Sequence, residues 1–421
     1  MKLARERARE VTAAGARSEA ADARVQQAKG FRLPSLAFSE VYTRTDSPAE
    51  AFALSLNKGA FSFQDFVTSD PTQPDVVAAA ITRFEAVWPV YTGGEVKSRI
   101  KQAEQAALAA GKNRSYAADN AAMEAASAYV MVAQAEEYTR LLTKSRDTVA
   151  AHVSHAKAYV DQGMLVRSEL LRAEVELSRV QDMLQEAQGN VRVANASLAF
   201  RLGASQDSHW ELSPLPEPSS LTGNAADWVK TSLERNDLAA ARDLLRAGEL
   251  EEKVKRAAFL PKAALTARYD FVGTNLFGSE GKAGTVMAAV SWNLLQGMSD
   301  KAALTAAKAE ARAGREDVAR FTEGVALEVR QAYELAVTAR ERHRTARLAL
   351  EAARENERIT KERFDKGVVK TLDWLDATTA RREAETRELS ARADAHSAGF
   401  RLAVKAGRAP ESVLPTSMAT N

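Results

Sequence analysis

The chain repeats itself, and the repeat restricts its possible folds more than any other feature. Trp88-Pro-Val-Tyr-Thr-Gly93 and Trp292-Asn-Leu-Leu-Gln-Gly297 stand 204 positions apart. The same offset relates Gly163-Met-Leu-Val-Arg-Ser-Glu-Leu-Leu-Arg-Ala173 to Gly367-Val-Val-Lys-Thr-Leu-Asp-Trp-Leu-Asp-Ala377. The arm from Gly93 to Gly163 therefore equals in length the arm from Gly297 to Gly367. Leu33-Pro34 and Leu260-Pro261 match at 227 positions, so 23 additional residues lie in the first half before Trp88. A chain with such self-similarity is built from two copies of one structural unit.

Each arm is a helix by pattern. No proline interrupts 95–160 or 299–363, and some 65 residues at about 1.5 Å per residue would reach roughly 100 Å. Isolated helices of that length need coiled-coil partners, and the segments 168–202 and 372–405 are placed to return along them. Glycine followed by a short non-helical stretch makes tips near 163 and 367. Aromatics at 6% and charged residues at 27% suit Ala-rich, closely packed helices with wet outer faces.

Before each arm the period changes. Leu265, Ala267, Tyr269 and Phe271 alternate with Thr266, Arg268 and Asp270, and Thr82, Phe84, Ala86 and Trp88 alternate with Arg83 and Glu85. Alternation of this kind marks strands with one apolar and one aqueous face. The pattern predicts strands at 36–45, 81–91, 263–272 and 284–294, with hairpin loops between. Trp88 and Trp292 close the apolar rows, as Trp does at a membrane-water boundary. The organisation is then a first repeat over 1–202, a Pro-rich linker over 203–224, a second repeat over 225–406 and a loose tail over 407–421. Four strands cannot close a barrel and open edges are not tolerated in lipid, so several chains must pool them.

Other classes are disfavoured. With no cysteine there is no disulfide, thiolate metal site, cysteine nucleophile or Cys-linked lipid. A net charge of +2 without a basic block shows no nucleic-acid footprint. No apolar run approaches a membrane-spanning helix, and no phosphate loop or Ser/His/Asp arrangement suggests an enzyme or a cofactor. His152 and His155 could supply half a metal site, but nothing completes it at helical spacing, so they and His209, His343 and His396 read as solvated or interhelix histidines and no metal is expected. Met1 to Glu10 lacks the apolar core of a secretory signal, which read literally fits a cytosolic coiled-coil scaffold. Because Lys2 already matches Val229, a start trimmed or placed slightly late is the other reading.

The order helix, Leu-Pro, strand, loop, strand, Gly, long helix, tip and returning helix, given twice, resembles the TolC family of outer-membrane efflux ducts over nearly the whole chain. The strongest local matches are Gly367-Val-Val-Lys-Thr-Leu-Asp-Trp-Leu-Asp-Ala-Thr-Thr379 and Tyr91-Thr-Gly-Gly-Glu-Val-Lys-Ser-Arg-Ile-Lys-Gln-Ala-Glu104. The resemblance implies a mainly α chain with a small membrane β part, whose four strands complete a 12-strand trimeric β-barrel below which coiled-coil hairpins form an α-barrel. It implies a homotrimer in outer-membrane lipid, reaching far into the periplasm. It further implies a periplasmic adaptor and an inner-membrane pump as partners.

On that resemblance Asp373, Asp376 and Phe364 belong to the gate, and Glu169 and Arg172, equivalent to the two aspartates, are expected to pair across the mouth. Spacing alone allows Asp373 and Asp376 to be acids that complement a helix dipole; in a trimer they become two carboxylate rings. Gly163, Met164, Leu165, Arg167 and Ser168, with Gly367, Val368, Val369 and Thr371, correspond to adaptor-docking tips. As residues alone they describe tight turns. Phe364 lacks the hydroxyl of the Tyr common at its position in the family, and Val369 is apolar, so a polar latch like the family's is not expected here.

Overall fold

The computed structural model describes residues 1–68, 70, 72–208, 210 and 212–414, without the side chains of Asp65 and Phe66. His209 and residues 415–421 of the expected tail lie outside the described residues. In chain order the elements are α1 (Lys2–Arg7), α2 (Arg9–Gly30), β1 (Ser35–Thr45), α3 (Pro48–Asn57), α4 (Asp65–Thr68), β2 (Val77–Tyr91), α5 (Glu95–Asp161) and α6 (Arg167–Arg201). There follow α7 (Ala225–Ser232), α8 (Asn236–Arg256), β3 (Lys262–Gly273), β4 (Gly281–Ser291), α9 (Ser299–Asp365) and α10 (Thr371–Lys405). The chain is mainly helical with one sheet. It packs as two compact units, the first from Met1–Ser18, Ala109–Ala241 and Asp317–Asn421, the second from Glu19–Leu108 and Arg242–Glu316.

In the first unit the core is a set of small-residue stripes. Ala121, Ala125, Ala128 and Val132 recur along α5 at spacings of four, three and four, and close on Ala4, Ala8, Val11, Ala194 and Leu198. Such spacing keeps one face of a helix against its neighbour, and Ala lets the backbones approach. A second stripe, Ala126, Val130 and Ala133, meets Ala393 and Phe400 of α10, and Trp228 of α7 is enclosed by Val329, Ala332 and Ala336 of α9.

The Pro-rich linker is held by its carbonyls. Pro214, Pro216 and Pro218 have no N–H to give, and the helices supply the donors. Tyr129 Oη reaches the Ser213 carbonyl at 3.0 Å, His396 Nε2 the Pro216 carbonyl at 2.8 Å, Arg340 Nε the Ser219 carbonyl at 2.8 Å and Trp228 Nε1 the Thr222 carbonyl at 3.0 Å. A carbonyl only accepts, so His396 carries its proton on Nε2.

In the second unit the four strands form one antiparallel sheet in the order β1-β2-β3-β4, with β1 and β4 as its edges. The register pairs Phe38 with Phe84, Phe84 with Tyr269, Arg83 with Asp270 and Ala267 with Val286. One face therefore carries Leu36, Phe38, Phe84, Trp88, Leu265, Tyr269, Val286 and Val290. It also carries Glu40, Arg44 and Lys282 toward the hairpin ends, while the opposite face carries Arg83, Glu85, Arg268 and Asp270 among Val41, Ile81, Val272, Met287 and smaller residues, with Arg83 held on Asp270 by bonds of 2.8 and 3.1 Å. The two tryptophans are fixed alike: Trp88 Nε1 donates to the Arg32 carbonyl and Trp292 Nε1 to the Phe259 carbonyl, both at 3.1 Å. Arg32 and Phe259 are themselves related by the 227-residue offset.

Two expectations need adjustment. β4 ends at Ser291, so Trp292 stands just beyond the strand rather than inside it. The long connection after β1 is not only loop: Pro at the first helical position and the apolar residues Ala51 and Leu54 give α3 a face that packs.

Arg235, in the turn between α7 and α8, is the most enclosed charge of the first unit, its side chain only 2% exposed. It bonds Asp237, Glu328 at 3.1 Å and the Lys405 carbonyl at 3.0 Å. Arg235→Met leaves that carbonyl without its donor and Asp237 with only the Leu238 N–H among the described residues, and removes the charge that neutralises Asp237. An apparent loss of about 3–5 kcal/mol is expected, read as a lower unfolding midpoint of the detergent-extracted protein; a midpoint within error of the parent would contradict it.

Candidate functional site

The tips lie in the first unit, and both are built by the same backbone device. Gly163 N donates to the Val160 carbonyl at 2.9 Å and Met164 N to the Tyr159 carbonyl at 2.8 Å; Gly367 N donates to the Phe364 carbonyl at 2.8 Å and Val368 N to the Arg363 carbonyl at 2.9 Å. This pair of bonds is the Schellman ending of a helix, and it needs a residue with positive φ. Gly163 and Gly367 supply it, each at φ 71°. The glycines therefore serve the turn itself.

At the apices Met164 (62% exposed), Val166 (64%) and Val368 (65%) project outward, and Leu372 is also exposed. Arg167 and Ser168 are exposed, while Leu165 and Val369 are half-buried. Thr371 departs from expectation: it is buried at the first position of α10, so its side chain is not part of the exposed apex. Glu169 and Arg172 lie on the first tip's returning helix. Within the chain they approach each other to 3.8 Å along α6, as an i,i+3 pair on one helix, with the Arg172 side chain still exposed.

Asp373 and Asp376 are both exposed, beside the stripe of α10 that buries Trp374, Ala377 and Thr378. Asp373 Oδ2 accepts the Lys370 N–H at 3.0 Å, closing the first turn of the helix. The carboxylate thus has a structural task, while Asp376 is exposed on the same helix face.

Phe364 is half-buried and takes part in an aromatic cluster that joins the two hairpins. Its ring stacks on Trp374 with centroids 5.3 Å apart, and His152 of α5 meets Trp374 edge-on at 4.7 Å and Phe364 at 6.0 Å. His152 Nε2 and Trp374 Nε1 are buried with no hydrogen-bond partner among the described residues. Burial first, and then the neighbouring charge of His155, push the His152 pKa down. Farther along α10, buried Arg382 bonds Glu176 of α6 at 2.9 Å and Ser145 of α5 at 3.5 Å. Arg381 binds Glu357 of its own hairpin at 2.7 Å. His152, Phe364 and Trp374 thus form an aromatic cluster between α5, α9 and α10, with the Arg382–Glu176 ion pair farther along α10.

Residue types gave no access to this cluster. His152 and Trp374 are 222 positions apart, and only the packing of α5 against α10 brings them together; the available signal was an apolar Trp in the register of a helix face. Among the described residues no group of three or more His, Asp or Glu gathers as a metal site, and no helix is long and apolar enough to cross a membrane.

The family described as Outer membrane efflux protein matches over residues 1–204 and 228–408. Outer membrane protein OprJ of Pseudomonas aeruginosa is 24% identical over 365 residues, spanning 85% of this chain and 73% of OprJ. Among solved structures, the outer membrane protein VceC of Vibrio cholerae aligns with a TM-score of 0.77 at 18% identity, over 97% of this chain and 95% of VceC. The open-state MtrE outer membrane channel of Neisseria gonorrhoeae aligns with a TM-score of 0.78 at 20% identity, over 97% of this chain and 88% of MtrE. These structural likenesses are likenesses of fold.

A histidine whose folded pKa lies below the ordinary value of about 6.5 contributes its full stability above that value and loses it as pH falls through the lowered one. The cluster is therefore expected to weaken in acid. In a variant keeping Trp374 as its sole Trp, emission should shift to the red between pH 7.5 and 5 and return on neutralisation. His152→Phe should abolish the shift; an unchanged titration in that variant would remove His152 from the account.

Proposed function

Because the chain belongs to the outer membrane efflux protein family, we propose that it is the exit duct of an efflux or secretion assembly, gated at the tips of its helical hairpins. It is an outer-membrane channel with a large periplasmic part, and a soluble cytosolic scaffold is set aside. The observation that carries the duct reading is the sheet: one apolar face, one charged face and two unpaired edges. A sheet of that kind is stable in lipid only when copies join edge to edge. Three copies would give 12 strands, and the charged face of Arg83, Glu85, Arg268 and Asp270 would line the bore. The duct is passive, since energy comes from a pump in the inner membrane.

The same threefold axis would set Asp373 and Asp376 as two rings of three carboxylates at the periplasmic mouth. Their exposure supports that role, because a ring residue must point out of its own chain. Close carboxylates concentrate cations and repel anions. The latch of His152, Phe364 and Trp374 would hold the hairpins of each chain in the closed arrangement. Met164, Val166, Val368 and Leu372, apolar and exposed at the ends of a charged coiled coil, would receive a periplasmic adaptor; such a patch is what a docking surface offers. Gly163, Gly367, Arg167 and Ser168 shape and border it.

Asp373→Asn keeps an acceptor for the Lys370 N–H and removes only charge, as does Asp376→Asn. In planar bilayers the double variant should lose cation preference by about tenfold with the assembly intact; unchanged selectivity would dismiss the rings as the filter. Photo-crosslinkers at Val166 and Val368 should capture the adaptor in cells, and one at Val286 should not. Capture only from Val286 would place docking elsewhere.

A further inference from the structure

The 23 residues that distinguish the first repeat contain α3, and its position on the sheet gives it a task. We infer that α3 is a lid at the exit end of the bore, an inference that rests on the duct reading of the sheet. Strand alternation settles which face the helix covers. Ile81 pairs with Val272, Arg83 with Asp270 and Glu85 with Arg268, so Ala79, Ile81, Arg83 and Glu85 of β2 share a face with Val272, Asp270 and Arg268 of β3. Leu54 of α3 packs on Ala79 and Val272, bordered by Val77 and Ile81. The helix therefore lies on the charged face, not on the face of Phe38, Phe84 and Val286.

It lies at the hairpin end of the strands, opposite the ends that join α2, α5, α8 and α9, which in an outer-membrane duct is the exit side. Thr45 sets the fold-back: its Oγ1 receives the Ser47 N–H at 3.1 Å and donates to Glu50 Oε2 at 2.9 Å. At the other end the helix crosses to β4. The Asn57 carbonyl oxygen comes so close to Gly281 that a Cβ there would sit 1.6 Å from it, and Lys58 Nζ donates to the Ala78 carbonyl. Gly281 is thus a seat for α3. The second repeat has no helix in the corresponding connection.

The size of the helix decides what it does to the bore. Twelve strands about 4.8 Å apart, tilted by about 40°, close into a backbone cylinder roughly 24 Å across. A helix with its side chains is about 10–12 Å wide, so one copy on the wall takes nearly half of that width and three leave no passage for cargo. Phe52 and Leu56, 40% and 47% exposed, point from the side of α3 that is not buried and would make the constriction apolar. Only Ala51 and Leu54 of the helix are buried, so few contacts must break for it to swing away, as a lid requires.

The absence of cysteine allows a clean test in intact cells with impermeant maleimides, one small and one carrying a polyethylene glycol chain. Met287→Cys reports from the charged face of β4 and Val290→Cys from the apolar face. The small reagent should label Met287→Cys and not Val290→Cys. The polymer reagent should label Met287→Cys about tenfold faster when residues 47–59 are replaced by a Gly-Ser segment of equal length, or when Leu54→Ser loosens the helix in the full chain. Equal polymer rates with and without these changes overturn the lid while the duct stands. Labelling of Val290→Cys in place of Met287→Cys inverts the faces and overturns the duct reading itself.

Discussion

A sheet in lipid has to pair every backbone polar group, and this chain leaves two edges unpaired. β1 offers 11 residues and β4 another 11, and each unpaired N–H or carbonyl in a hydrocarbon environment costs several kcal/mol. No rearrangement within four strands removes that cost. Joining β1 of one copy to β4 of the next does, and it makes a closed barrel from a chain that cannot close alone. The long hairpins inherit the same symmetry. The proposed gate of carboxylate rings, the proposed docking patch at each tip and the inferred lid all depend on that closure.

Around this constraint the structure uses the same local solutions twice. Each Trp is tied by its indole N–H to a carbonyl just ahead of a Leu-Pro pair, which fixes the end of the strand ladder to the helix before it. Each tip ends in a Schellman turn with glycine at φ 71°. The repeats differ where function needs asymmetry. Only the second tip carries the paired aspartates and the Trp of the latch, and only the first hairpin loop carries a helix.

What could be read from the residues alone was whatever depends on period and offset. The proline-free arms, the Ala-rich packing, the alternating strands and the glycine tips are local patterns, and the four strands and the paired helices follow from them. The latch is different in kind. Nothing in the spacing of His152, Phe364 and Trp374 links them, because their meeting depends on which face α5 turns toward α10. Thr371 looked like a surface residue beside a turn, yet it and Trp374 are the residues of the first turn of α10 that pack inward. α3 was hidden in a long connection without a sustained period, since a helix of ten residues gains its stability from the sheet beneath it.

The account stands on the pairing of β1 with β4 between copies, so stoichiometry tests it most directly. The measurement is the mass of the assembly released from outer membranes in mild detergent, by native mass spectrometry. The account predicts a species of three chain masses, stable on dilution. A folded, channel-forming species of one or two chain masses would contradict it.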